Sequence, residues 1–117
     1  RRREIASIYN EQLSIIKEIK LPPAPVENGD HFDIYQNYEL QAENRDALKT
    51  YLANNGVGTI IQWAGKAVHQ WDVLGFDIKL PKTEDFFKKC LMLPMNMFIS
   101  DEDTYYICET INNFYRK

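Results

Sequence analysis

The sequence contains no apolar run long enough to cross a bilayer, and no stretch with the basic, then apolar, then small-residue order of a secretion signal. A cytoplasmic location without membrane contact is the expectation that follows. Cysteine is scarce. Cys90 and Cys108 match no metal-binding or redox spacing, and each stands among apolar residues of an expected helix, so both read as reduced core thiols and not as a metal site. An excess of one charge is missing as well: 14 Lys and Arg face 17 Asp and Glu, a formal net charge of -3. That mild acidity attracts neither nucleic acid nor anionic membrane in general. There is no initiator methionine, and no Ser, Thr, Asp or Asn stands ahead of the first helical pattern to cap it. The chain is therefore expected to be a fragment of a longer protein, its first helix beginning upstream.

What is present suits one folded domain over residues 1–117. Hydrophobic residues make up 44% and charged residues 26%, which excludes disorder as a global reading. A chain of this length buries roughly two thirds of the surface it exposes when unfolded, enough for one core. Residues 4–20 place Ile5, Ile8, Tyr9, Leu13 and Ile16 at three-and-four spacing, predicting an amphipathic helix stopped by Leu21-Pro22-Pro23. Arg1, Arg2 and Arg3 at its start read as a solvated face at the unfavourable end of the dipole. Phe32, Ile34, Tyr38, Leu40 and Ala42 then alternate with polar residues, the period of a strand with one covered face.

Asn44 is placed to cap a helix through Leu48, Tyr51 and Leu52 to Asn55, and Asn55-Gly56 ends it, because Gly56 accepts the left-handed backbone. The β-branched run Val57, Thr59, Ile60 and Ile61 predicts a second strand. Residues 66–74 suggest a short helix closed by Gly75. A further helix starts at Pro81 with Phe86, Phe87, Cys90 and Leu91 as its apolar face, and Leu91-Met92-Leu93-Pro94-Met95 is a short strand. Ser100 caps the last helix, which carries Asp101, Glu102 and Asp103 in its first turn and the stripe Ile107, Cys108, Ile111, Phe114 and Tyr115. The expected class is α+β, a small, mainly antiparallel three-stranded sheet with helices packed on it.

Chemistry concentrates where the second expected strand empties into a loop, a usual place for a site. There Gln62 can donate and accept hydrogen bonds, Trp63 can stack on a base or sugar, and Lys66 can meet a diphosphate. His69 follows. Each has a plainer reading: Trp63 as core, Lys66 as a solvated charge, His69 as a structural histidine. Gln36 falls on the apolar parity of the first strand, so its amide needs a partner, either a structural group or a ligand. His31 has no partner at useful spacing.

The order of Arg2-Arg3-Glu4-Ile5-Ala6 and Tyr9-Asn10, a Tyr-containing strand, Asn44-Arg45-Asp46-Ala47-Leu48, Gly56-Val57-Gly58-Thr59, a loop with His69, Leu74-Gly75-Phe76, Leu80-Pro81 and Leu91-Met92-Leu93-Pro94-Met95 resembles the C-terminal part of the DegT/DnrJ/StrS sugar aminotransferases. The likeness covers nearly the whole chain. It implies the C-terminal domain of the aspartate-aminotransferase fold, in a pyridoxal 5'-phosphate enzyme that moves an amino group from glutamate or glutamine to a nucleotide-linked keto sugar, for surface polysaccharide or antibiotic sugars. It also implies a homodimer. In the family the Schiff-base lysine and most cofactor contacts lie in the large N-terminal domain, absent here, so the fragment alone is expected to hold no cofactor and to be inactive. The family has His-Tyr-Pro where this chain reads Gln62-Trp63-Ala64, near the nucleotide-sugar end of the substrate, and His69 stands at its second histidine. Two other readings remain: a sugar dehydratase relative using the same cofactor, and a free-standing α+β binding module. A severed domain, unlike such a module, should expose an apolar patch.

Overall fold

A computed structural model describes residues 1–116. Four helices, α1 (Arg2–Leu13), α2 (Arg45–Asn54), α3 (Pro81–Lys89) and α4 (Asp101–Tyr115), surround a sheet of β1 (Ile19–Lys20), β2 (Tyr38–Ala42) and β3 (Cys90–Leu93). The sheet runs β1-β2-β3 with both pairings antiparallel. The architecture is the α+β class expected, but two of its three strands differ from those the pattern suggests.

α1 stops at Leu13, short of the expected Lys20, because residues 19–20 pair with Gln41 and Ala42 and so give that edge of β2 a partner. The β-branched Ile15 and Ile16 lower the helix propensity just past that stop, so ending the helix there costs little, and Ile15 is left exposed. The strand expected from Phe32 begins only at Tyr38. Tyr35 takes φ 50, and its N–H donates to Asp33 Oδ1 at 2.7 Å, a local turn that replaces the ladder. The parity flips there: Tyr35 is buried, while Phe32 and Ile34 are exposed.

The second expected strand shrinks to one bridge, Ile60 with Met92, closed by N···O contacts of 3.2 and 2.8 Å. Its neighbours are already committed. Val57 N–H donates to Leu52 O at 2.9 Å and Gly56 N–H to Ala53 O at 3.1 Å, the two bonds of a Schellman stop with Gly56 at φ 78. Gln62 already belongs to a turn. The helix expected over residues 66–74 is instead two short 3-10 turns, Val68–Gln70 and Asp72–Leu74, separated by extended Trp71 and closed by Gly75 at φ 71. Cys90 and Leu91, expected on the α3 face, leave the helix at Lys89 and enter β3.

The core lies on one face of the sheet. Register sets Tyr38 opposite Leu93 and Leu40 opposite Leu91, all buried, while Glu39 and Gln41 point away. Ile5, Tyr9 and Leu13 of α1, Leu48 and Leu52 of α2, and Ile107, Cys108 and Ile111 of α4 join the cluster; α3 gives it nothing. Tyr9 and Tyr38 rings stand 4.9 Å apart, and Tyr9 Oη donates to Pro94 O at 2.7 Å. Both thiols are free and buried, as expected, Cys90 from a strand and not a helix.

The N-terminal arginines are not a solvated face. Arg2 donates to the carbonyls of Tyr35 (3.2 Å) and Gln36 (2.8 Å), and Arg3 to those of Asp33 (2.7 Å) and Val26 (2.8 Å) while lying 3.9 Å over the Phe32 ring. Arg1 bridges to Asp101 at 2.7 Å. They tie the proline-rich loop and α4 to α1, which explains cations at a disfavoured helix end. α4 begins as its sequence indicates, with Ser100 Oγ accepting from Asp103 N–H at 3.0 Å.

Candidate functional site

The bridge at Ile60 pins the extended segment to β3, and two residues later the chain turns through Gln62–Gly65. Three successive residues there are left-handed: Trp63 (φ 53, ψ 33), Ala64 (φ 53, ψ 25) and Gly65 (φ 71). For a residue with a Cβ this conformation costs roughly 1–2 kcal/mol, so the two non-glycines need support from outside the turn. Inside it, Lys66 N–H donates to Trp63 O at 3.0 Å. Outside it, Gly65 seats against Arg45, Ile61 and Phe87: a Cβ on Gly65 would stand 3.5 Å from Arg45 Nη2, from Ile61 Cγ2 and from Phe87 O.

This turn displays its side chains. Trp63 is 70% exposed, Lys66 is exposed with Nζ 5.4 Å from the Trp71 ring centroid, and Gln62 is half-buried at the base. His69 is turned inward: its side chain is 7% exposed, and Nε2 stands 3.5 Å from Glu84 Oε2 without making a hydrogen bond. That oxygen already accepts the Leu80 N–H at 2.7 Å. The Leu80 N–H is the main reason the Glu84 carboxyl sits below the usual carboxylate range; burial opposes the shift and His69 adds to it. Gln36 is exposed and not on the buried parity, because Tyr35 takes the inward place; its own carbonyl holds Arg2. It lines a cleft of about 150 Å³ with Gly58, Ile60 and Met92, at the root of the segment and not at its turn. Gln62, Trp63 and Lys66 thus share one loop, His69 stands behind it, and Gln36 lies apart.

Three residues that sequence reasoning passes over hold this region together. Arg45, 9% exposed, donates from Nε to Asp46 Oδ1 (2.7 Å) and from Nη1 to Phe87 O (3.1 Å) and Cys90 O (2.8 Å). Lys49 Nζ donates to Thr59 O at 2.5 Å, and Glu84 caps α3 through Leu80. Arg45 left a signal in the sequence: it opens a helix, where a cation is disfavoured, so a partner elsewhere was required.

Comparison with known proteins identifies the chain. Residues 1–112 match the family described as DegT/DnrJ/EryC1/StrS aminotransferases. The chain belongs to that family. A relative from Geobacillus stearothermophilus named a pleiotropic regulatory protein is 29% identical, over 98% of this chain and 32% of the relative. The dTDP-4-dehydro-2,3,6-trideoxy-D-glucose 4-aminotransferase of Saccharopolyspora spinosa is 28% identical, over 88% of this chain and 26% of its own length. Among solved structures, a DegT/DnrJ/EryC1/StrS aminotransferase from Brucella abortus superposes with a TM-score of 0.82 at 31% identity, covering 99% of this chain and 31% of that one. The chain thus spans about a third of the length of the relatives it matches.

Aminotransferases of this family use pyridoxal 5'-phosphate, whose aldehyde needs a desolvated, unprotonated lysine. The described lysines do not fit that need. Most are exposed; of the half-buried ones, Lys49 is bonded to Thr59 and Lys89 is paired with Glu43 at 2.9 Å and Asp85 at 3.5 Å. What the described residues can do chemically is bind and orient, through an amide, an indole face and an exposed cation on one loop. No helix among them is long and apolar enough to cross a membrane.

Proposed function

We propose that this chain is the C-terminal domain of a pyridoxal 5'-phosphate-dependent aminotransferase that moves an amino group from glutamate or glutamine to a nucleotide-linked keto sugar. The enzyme is cytoplasmic and homodimeric, and the cofactor sits on a large domain of the same polypeptide. This chain supplies the substrate contacts: Trp63 stacks on the base or sugar ring, Gln62 reads polar groups of the sugar, and Lys66 meets the diphosphate. Gln36 adds a contact at the root of the segment, and His69 backs the loop. Alone, the chain is catalytically silent, since amino transfer draws on a cofactor that none of its described lysines is set to hold.

One observation carries the reading. Along residues 60–78, the stretch that carries the polar turn, the chain leaves Ile60, Trp63, Val73, Phe76 and Ile78 uncovered, Val73 at 90% and Trp63 at 70% exposure. A free-standing binding module has no use for so many apolar side chains in water; a domain closed over by the rest of its enzyme does. The test is to purify the intact protein and follow the cofactor's absorbance. Adding glutamate should change the spectrum, and adding a nucleotide-linked keto sugar should reverse the change. A protein with no cofactor band, or with a band that responds to no nucleotide sugar, refutes the proposal.

A further inference from the structure

We infer that Arg45 is the positioning residue that sets where Trp63 points, by building the seat on which the left-handed turn rests. Its effect on substrate rests on the nucleotide-sugar reading above; its effect on Trp63 stands on geometry alone.

Arg45 is the first residue of α2, where a guanidinium opposes the helix dipole. It is nonetheless buried, and two of its three bonds go to other elements. Phe87 O is one of the last carbonyls of α3, which the helix itself leaves open, and Cys90 O belongs to the first residue of β3. One planar side chain therefore joins the start of α2, the end of α3 and the start of β3. Gly65 backs onto that junction, with its Cβ direction facing Arg45 Nη2 and Phe87 O at van der Waals distance. Since Trp63 and Ala64 hold an unfavourable backbone state, they keep it only while the residue next to them is fixed. Arg45 reaches no displayed side chain of the turn; it acts through Gly65. A lysine offers a single point of donation and cannot reproduce the fork.

The test uses the intact protein labelled with 5-fluorotryptophan, the Trp63 resonance being assigned by its loss in Trp63→Phe. Arg45→Met removes the fork and Arg45→Lys retains its charge, while Gly65→Ala is the control that moves the turn directly, since its methyl would only touch Arg45 Nη2 but the residue holds φ 71. Arg45→Met and Gly65→Ala should each shift or broaden the Trp63 resonance, Arg45→Lys by a smaller amount. In the enzyme, KM for the nucleotide sugar should rise about tenfold or more while the amino-donor half-reaction changes by less than about twofold, the split expected of a misaimed binding group. A folded Arg45→Met with an unmoved Trp63 resonance, or with both half-reactions reduced alike, overturns the inference. If Arg45→Met does not fold, Arg45→Lys carries the comparison, and an unmoved Trp63 resonance in it overturns the inference in the same way. Should the wild-type enzyme turn over no nucleotide sugar, the proposed function fails, and the fluorine spectra alone decide the role of Arg45.

Discussion

Replacing Ala64 by glycine should stabilise this protein, although alanine-to-glycine changes usually do the reverse. Ala64 holds φ 53 and ψ 25. An L-residue gives up roughly 1–2 kcal/mol to sit there, and glycine almost nothing. Glycine also gains freedom in the unfolded chain, which offsets about 0.4–1 kcal/mol of that. The residue is exposed, so little packing is lost with the methyl. The net expectation is a gain of about 0.5–1 kcal/mol. Ala64→Val is the control, because a β-branched side chain resists the left-handed region more strongly than alanine, and it should destabilise. Two measurements read the effect. The midpoint of urea unfolding should rise for Ala64→Gly and fall for Ala64→Val. The Lys66 amide, which donates to Trp63 O across the turn, should exchange with solvent about two- to fivefold more slowly in Ala64→Gly, in proportion to the same free energy. If Ala64→Gly lowers the midpoint and Ala64→Val leaves it alone, the turn is not left-handed, and the strain argument for the site falls with it.

Ser100→Ala should cost about 1 kcal/mol of stability by urea titration, because its Oγ is the acceptor for Asp103 N–H, whereas Ser100→Asp should come close to wild type. Burial pushes the Cys108 thiol up to about 12 from an ordinary value near 9, so the unfolded chain ionises first; stability should be intact below pH 9 and decline as pH rises toward 12. Cys108→Ala should flatten that decline, and neither native thiol should react with a thiol reagent before unfolding. Glu84 behaves with the opposite sign. Its carboxyl lies below the usual range, so its contribution is present above the ordinary carboxylate value and is lost as pH falls through the lowered one. Glu84→Gln should remove that segment from the acid limb of a stability-against-pH curve.

The parts of the fold that local pattern encodes were legible. α4 follows from Ser100, three acids in the first turn and an unbroken apolar stripe, and the end of α2 follows from Asn55-Gly56, since each is decided by residues in contact with one another along the chain. What escaped was decided across the chain. β1 exists because residues 19–20 meet the free edge of β2, and the lowered helix propensity of Ile15 and Ile16 is too weak a local sign to distinguish that from a continuing helix. Strand parity at residues 32–36 failed on one backbone angle, at Tyr35, which a polar–apolar alternation does not report. The site was half legible: Gln62, Trp63 and Lys66 could be assigned to one loop, but the left-handed path that displays Trp63 has only Gly65 as a local sign, and the inward turn of His69 depends on α3.

Charge at the wrong end of a helix was the overlooked long-range signal. Three arginines stand at the start of α1, Arg1 just before it, and one opens α2, all opposed by the helix dipole, and a solvated face is the cheapest reading of such residues taken singly. Taken together they ask why the disfavoured end was used twice. In both places arginines reach backbone carbonyls outside regular structure or at its ends: Tyr35 and Gln36 in the loop before β2, Phe87 and Cys90 where α3 passes into β3. A helix start is well placed for this, because side chains there extend past the end of their own helix and a neighbouring segment can be clamped without breaking any helical bond. The same logic separates the two cases. Arg2 and Arg3 fix a loop against the core, and their loss should loosen residues 22–36; Arg45 fixes a junction with the left-handed turn resting on its far side, so its loss should be felt at Trp63, on a surface that Arg45 itself never reaches.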